Sequence, residues 1–490
     1  MPKFEIKHRK TGAVIFGGRA KSLKELVQSA VTAGVDASAF QLALKTLKIR
    51  TVEKARLYGA DLSGVDLSKI DLTEAVLAGS DLSAADLSES VLSGADLSGA
   101  NLSRADLAGA TLTGANMSEA DLTEARLSKA KLDGANLTGA NLAGADLTRT
   151  RLGKANLLKA DMAGAHLGGA DLSKIQLAGN TMRGADLSFA VVTGARLLGV
   201  DLSGANLERA DLSNAVLSNS NLSGARLVEA NLFGVDLSRA NLRNAVLSGA
   251  RLERAKLHGA QMQGARVDAG KLSGADLSNA DISQADFTDT ELAGAKLANA
   301  VLKRATFLRA VLKGADLSGA VLEQADFSKA DLSEVVAVGA QMADANLSGV
   351  KLESADLSGA SMVAARLTEA KLDKARMVGT VLIGADLARS TLIGADISEA
   401  TITEADLSDA DLHGARLDQA DLSGSSLIGA SVSGVSMQGT KFVGADLSGA
   451  DFSWSTIDGA DFSRVKISGT SFRGAQLSNV KGIRFKKKEK

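Results

Sequence analysis

Every fifth residue from Leu57 to Leu477 is Leu, Ile, Val, Met or Phe, and Ala337 is the only departure in 85 successive repeats. Two residues before each stands a small one, Ala in 63 of the 85, so typical repeats read ADLSG, ANLSR, AKLDG and ARLTE. A period of five matches neither the 3.6 of an α-helix nor the 2 of a flat strand. The chain must therefore turn a corner in each repeat. Ser, Asp, Asn and Gly supply the corners, because they favour turns and local side-chain to backbone bonds. Proline has no N–H to give to a neighbouring layer, and it occurs only at Pro2. A short strict repeat decides the architecture before any single residue is considered.

Tandem A(D/N)LXX repeats of this kind resemble the pentapeptide-repeat proteins, and the likeness covers about seven-eighths of the chain. The resemblance implies an all-β solenoid, a right-handed quadrilateral β-helix. One pentapeptide forms each side and four form a coil of twenty residues. The central residue and the small residue two before it point inward. Eighty-five repeats make about 21 coils, a rod of roughly 100 Å at a strand spacing of ~4.8 Å.

The phenylalanines carry an independent sign of the twenty-residue coil. Seven of thirteen lie at central positions: Phe287, Phe307 and Phe327; Phe442 with Phe462; Phe452 with Phe472. Each has a partner twenty residues away, where rings stack with a gain of about 0.5–1.5 kcal/mol. All eight methionines after Met1 are also central, where a flexible side chain fills gaps. No charged residue occupies an inward position, as a dry core requires. Asn180 is the one strongly polar inward residue, and its amide is expected to bond to neighbouring backbone.

Residues 1–50 form a separate domain. Phe4, Ile6 and His8 alternate with polar residues, Lys10-Thr11-Gly12 suggests a turn, and Ala13 to Phe16 return, a β-hairpin pattern. Ser22 to Glu25 is a capping box for a helix near 23–33, and Asp36 caps a second to about Lys48. This small α+β segment is expected to cap the first coil, since an open coil end is a template for aggregation. Residues 51–477 are the repeat. Residues 478–490 read as a closing strand through Ile483 and Phe485 and a solvated basic tail.

The net charge of −1 conceals bands. Residues 61–125 hold twelve acids against Lys69 and Arg104, and residues 126–175 hold eight bases against four acids. There is no cysteine, and the four histidines are scattered, so no disulfide or metal site is expected. No cofactor is expected. No phosphate loop, apolar span or secretory leader is recognised, so the chain is placed in the cytoplasm, off the membrane, without enzymatic activity.

Three functions remain open. The first is a rod-like structural scaffold or protein-interaction module, its contact strip formed by outward Val301, Val321, Gln341, Ser361, Val381 and Thr401, with Val363 and Ile383 beside them. The second follows from the resemblance: some pentapeptide-repeat proteins imitate duplex DNA and bind type II topoisomerases. Here the acidic belt of Asp61, Asp66, Asp71, Asp81 and Asp86 would carry the mimicry, with one net charge per ~1.6 Å against ~1.7 Å in DNA. The third is a component of a virion or other large assembly. A protein partner is expected in each case and direct nucleic-acid binding is not; the oligomeric state is open.

Overall fold

The computed structural model describes residues 3–7, 14–19 and 50–483. The chain divides into two compact bodies, Met1–Asn241 and Leu242–Lys490. Each is a stack of β-coils. In the first, parallel bridges run from Thr51↔Asp71 to Asn221↔Asn241; in the second, from Val246↔Arg266 to Asp461↔Lys481. Every bridge joins residues twenty apart and bridges recur every five residues, so each coil has four sides.

The backbone accounts for the sequence of the repeat. Asp81 N–H donates down to Ala60 O (2.9 Å), while Leu82 N–H and Ala84 N–H donate up to Asn101 O (2.7 Å) and Ser103 O (2.9 Å). Ala85 N–H closes the corner onto Leu82 O (3.1 Å). One donor of the five is left, Ser83 N–H, and the Asp81 carboxylate takes it at 2.9 Å. All five are thereby satisfied, as a partly buried backbone demands. The second corner residue has positive φ, 54° at Ala84 and 67° at Gly94, the conformation that a type II turn needs and that favours Gly. Bulky Phe189 (57°) and Trp454 (63°) adopt it too, at a steric cost that Gly avoids.

The core is a column of side chains along each side. Central Leu residues such as Leu82, Leu102 and Leu122 are fully buried, as are Ser80, Ala100 and Ala120 two residues before them. Phe307 lies between Phe287 (centroids 5.0 Å apart) and Phe327 (4.7 Å), nearly coplanar with both. Phe442 stacks on Phe462 at 5.0 Å and Phe452 on Phe472 at 5.2 Å, and edge contacts join the two columns. No charged side chain is buried among the described residues; the buried polar groups are hydroxyls and the Asn180 amide. Most of the hydroxyls bond to coil carbonyls, Ser80 to Leu77 O at 2.6 Å and Thr440 to Leu417 O at 2.7 Å; Ser398 and Ser453 bond to Asp396 and Asp451, and Ser390 Oγ has no partner.

Within the first body the ladder is interrupted. Bridges Arg151↔Asp171 and Asp161↔Thr181 remain, but Asn156 and Gln176 do not pair. The N–H groups of Leu152, Lys154, Leu157, Lys159, Gln176 and Thr181 lack the coil-to-coil bonds that their equivalents make elsewhere. The cause stands at Asn180, where most repeats have Ala. Its Nδ2 donates to Leu157 O (2.5 Å) and Ala160 O (3.1 Å), occupying the space between the coils, while its buried Oδ1 has no partner. The amide does bond to backbone, at the expense of the ladder around it.

At the amino end, β1 (Lys3–Lys7) pairs antiparallel with β2 (Val14–Arg19), Ile6 opposite Phe16. The helices expected near 23–33 and 36–48 and the basic tail 484–490 lie outside the described residues. The last coil joins the one before it through the parallel pair β3 (Thr456–Asp458) and β4 (Gln476–Ser478). Its Ile467 is 42% exposed, whereas Val52 and Leu57 of the first coil are buried.

Candidate interaction surfaces

The outward positions form columns along each side, so residues twenty apart become neighbours. Val301, Val321, Gln341, Ser361, Val381 and Thr401 bridge one to the next in this order, with Asp281 before them and Asp421 after. They are one continuous uncharged strip on one side. Ile383, two residues beyond Val381, is 37% exposed. Ordinary repeats place Asp or Asn here to hold the N–H two residues on, as Asp281 does for Ser283 at 3.0 Å. Val321 and Val381 cannot accept that bond. The strip therefore gives up a local bond worth about 0.5–1.5 kcal/mol at each valine.

The acidic belt is arranged differently. Asp61 stacks under Asp81 on one side, Asp66 under Asp86 on the next, and Asp71 stands on a third. The five carboxylates are spread around the coil rather than gathered into one strip. Each also holds its own turn. Asp61, Asp66, Asp71, Asp81 and Asp86 accept the N–H of Ser63, Ser68, Thr73, Ser83 and Ser88 at 2.9–3.1 Å. Direct stacking of like charges costs something, and Asn101 Nδ2 offsets part of it by donating to Asp81 Oδ1 at 3.1 Å.

Charge at the corners is mostly balanced between coils. Arg104 meets Glu124 at 2.9 Å, Arg209 meets Glu229 at 2.7 Å, and Arg309 holds Asp289 through two bonds of 2.7 and 2.6 Å. The Arg309 bond keeps Asp289 below the ordinary carboxylate range. Exposed pairs of this kind are screened by solvent and contribute little to stability. Asp171 and Asp446 are lowered first by the hydroxyls of Ser173 and Ser448, which bond to the charged form.

Shallow crevices open on the surface of the described residues, three of them beside charged side chains. One of about 430 Å³ lies over Lys303, Arg304, Glu323 and Gln324, and its cations are engaged, Lys303 by Glu323 (2.9 Å) and Arg304 by Gln324 (2.8 Å). A second, of about 400 Å³, surrounds the Arg104–Glu124 pair. The third, about 470 Å³, opens at the interrupted ladder between Lys154–Asn156 and Lys174–Gln176. Sequence reasoning missed this crevice. Its only signal is the bulk of Asn180 above two stacked lysines. No cluster of potential metal ligands occurs among the described residues. His258 and His413 each bond a serine one coil on, both at 2.9 Å. No described helix is long and apolar enough to cross a membrane.

The family model for pentapeptide repeats matches successive segments from 55–94 to 445–481. Among solved structures, the chain is similar to HetL, a pentapeptide repeat protein involved in heterocyst differentiation regulation in the cyanobacterium Nostoc. That match has 27% identity, covers 45% of this chain and 88% of HetL, and has a TM-score of 0.19. A pentapeptide repeat protein of the Arabidopsis thaliana thylakoid lumen matches at 28% identity over 29% of this chain and 72% of its own, with a TM-score of 0.17. QnrB1, a plasmid-mediated fluoroquinolone resistance protein, matches at 21% identity over 39% and 90%, with a TM-score of 0.20. No curated protein matches the sequence.

Proposed function

This chain belongs to the pentapeptide-repeat family, and on that footing we propose that it is a non-catalytic scaffold that binds a protein partner along the strip from Val301 to Thr401. The observation that supports this reading is the column itself. Six successive coils leave this outward column uncharged between Asp281 and Asp421, while Lys303, Glu323 and Asp344 stand beside it on the same side. Val321 and Val381 also forgo the turn bond that Asp would supply. Sheet sides of this kind offer flat contact area, and an apolar strip with a polar surround is the usual make-up of a protein interface. The amino-terminal segment acts as a cap and the site of action is the cytoplasm.

Affinity capture with wild-type protein and with Val321→Glu/Val381→Glu tests the reading. The partner is retained by the wild type and lost by the double variant, while the melting temperature stays unchanged. A variant that captures the same partner equally well removes the strip from consideration. The same preparations are expected to leave gyrase supercoiling unaffected, because the belt carboxylates are divided among three sides and already hold their own turns.

A further inference from the structure

We propose that the interrupted seam between residues 152–160 and 171–181 is a binding site for a small oxyanion of the phosphate class. Three features meet there. The crevice of about 470 Å³ is lined by Lys154, Ala155, Asn156, Lys174, Ile175 and Gln176. The backbone donors at its edges, Lys154 N–H and Gln176 N–H, have lost the carbonyls of Ser173 and Ala155 that the register of the ladder assigns to them. Lys154 and Lys174 stand one above the other at the same corner, and neither has an acidic partner among the described residues.

Lys54, Lys69, Arg104 and Arg209 each face a glutamate one coil on. Lys174 faces Lys154 instead, as Arg149 faces Lys129 and Lys329 faces Arg309, but of these three pairs only Lys154 and Lys174 span coils whose ladder bonds are lost. Two like charges across an opened seam repel, and a bound anion converts that repulsion into two attractions. Orphan amides and lysine ammonium groups together form the donor-rich setting in which phosphate and sulfate groups are held. Asn180 Nδ2 occupies Leu157 O and Ala160 O, so it keeps the seam open; Ser173 O and Ala155 O, released together with the two amides, also face the seam, and the lysine ammonium groups supply the excess of positive charge there.

Inorganic phosphate, pyrophosphate and glycerol phosphate are the probes, read by calorimetry and by amide exchange of the full chain. Phosphate is expected to slow exchange in peptides covering 152–178, while chloride at matched ionic strength does not. Pyrophosphate binding tighter than glycerol phosphate points to a free inorganic ligand, and the reverse order to an organic phosphate; either supports the site. K154A/K174A weakens binding at least tenfold with melting unchanged. N180A recloses the ladder, protects 152–178 without any ligand, and also loses binding. Equal effects of phosphate and chloride, or phosphate binding by K154A/K174A or N180A like that of wild type, would overturn the proposal.

Discussion

Phe307 and Asn180 both point into a coil, in the same five-residue grammar, with opposite results. Around Phe307 the rings of Phe287 and Phe327 fill the column, and Phe287, Phe307 and Asp289 all make their coil-to-coil bonds at 2.6–3.0 Å. Around Asn180 six such bonds are unmade. The difference lies in shape and demand. A phenyl ring needs only a flat neighbour on each side, which a twenty-residue stride supplies. A primary amide needs partners for two donors and one acceptor, and the narrow coil offers only carbonyls already committed to the ladder. An inward polar group is tolerated when it is small enough to share a carbonyl, as Thr290 shares that of Phe287 at 2.6 Å. It is disruptive when it is larger.

The largest effect is expected on the aromatic side. Phe307→Ala removes the middle ring of three and should cost about 3–5 kcal/mol, read as a lower midpoint in denaturant. Phe307→Asp should cost more, because the charge has no partner in a dry column. If Phe307→Asp melts like wild type, the core assignment of that column fails. On the other side, Asn180→Ala should raise stability by roughly 1–3 kcal/mol, the usual penalty of a buried unsatisfied polar atom. No gain from Asn180→Ala would mean that something other than the amide holds the coils apart. Hydrogen exchange gives the same comparison without mutation. Leu157 and Gln176 amides should exchange at least tenfold faster than those of Phe287 and Phe307.

How far the sequence was legible follows from the same pair. The stride could be read from residues that must sit one above another, Phe287, Phe307 and Phe327. The inward face could be read from the absence of charge at every central and preceding position. The effect of Asn180 on its neighbours could not be read, because a single amide says nothing about whether its hydrogen bonds replace or supplement those of the backbone. The division of the acidic belt was also hidden. Asp61, Asp66 and Asp71 are close in sequence, yet a corner separates each from the next.

Smaller effects test the turns that both regions share. Asp81→Ala should cost about 0.5–1.5 kcal/mol through loss of the Ser83 bond. Asp81→Asn keeps an acceptor there, removes one of two stacked charges and should be close to neutral. Equal losses in the two variants would show that the charge matters and the bond does not. Acid should act on all such turns together. The folded pKa values of Asp171, Asp446 and Asp461 lie below the ordinary carboxylate value, chiefly through hydroxyl bonds from Ser173, Ser448 and Ser463. Their contribution is therefore complete above about pH 4 and is lost as pH falls through their lowered values. Thermal melts should be flat from about pH 7 to pH 5 and decline below about pH 4. The smallest change is expected from Val321→Glu/Val381→Glu, within about 0.5 kcal/mol.

The stride of the ladder also fixes how the molecule responds to force. Each coil is held to the next by four sides of bonds that lie along the stacking direction. Tension on a chain end loads the outermost coil alone, one side after another, while coils further in carry no shear. Detaching a coil frees twenty residues, roughly 65–70 Å of extended chain, in place of about 4.8 Å of stacked height. Within each body, extension should proceed in even increments at nearly constant load, with a lower force as the coils beside Asn180 detach and a higher one as the phenylalanine columns do. The protein would then behave as a spool, paying out length in measured turns where a globular domain would rupture once.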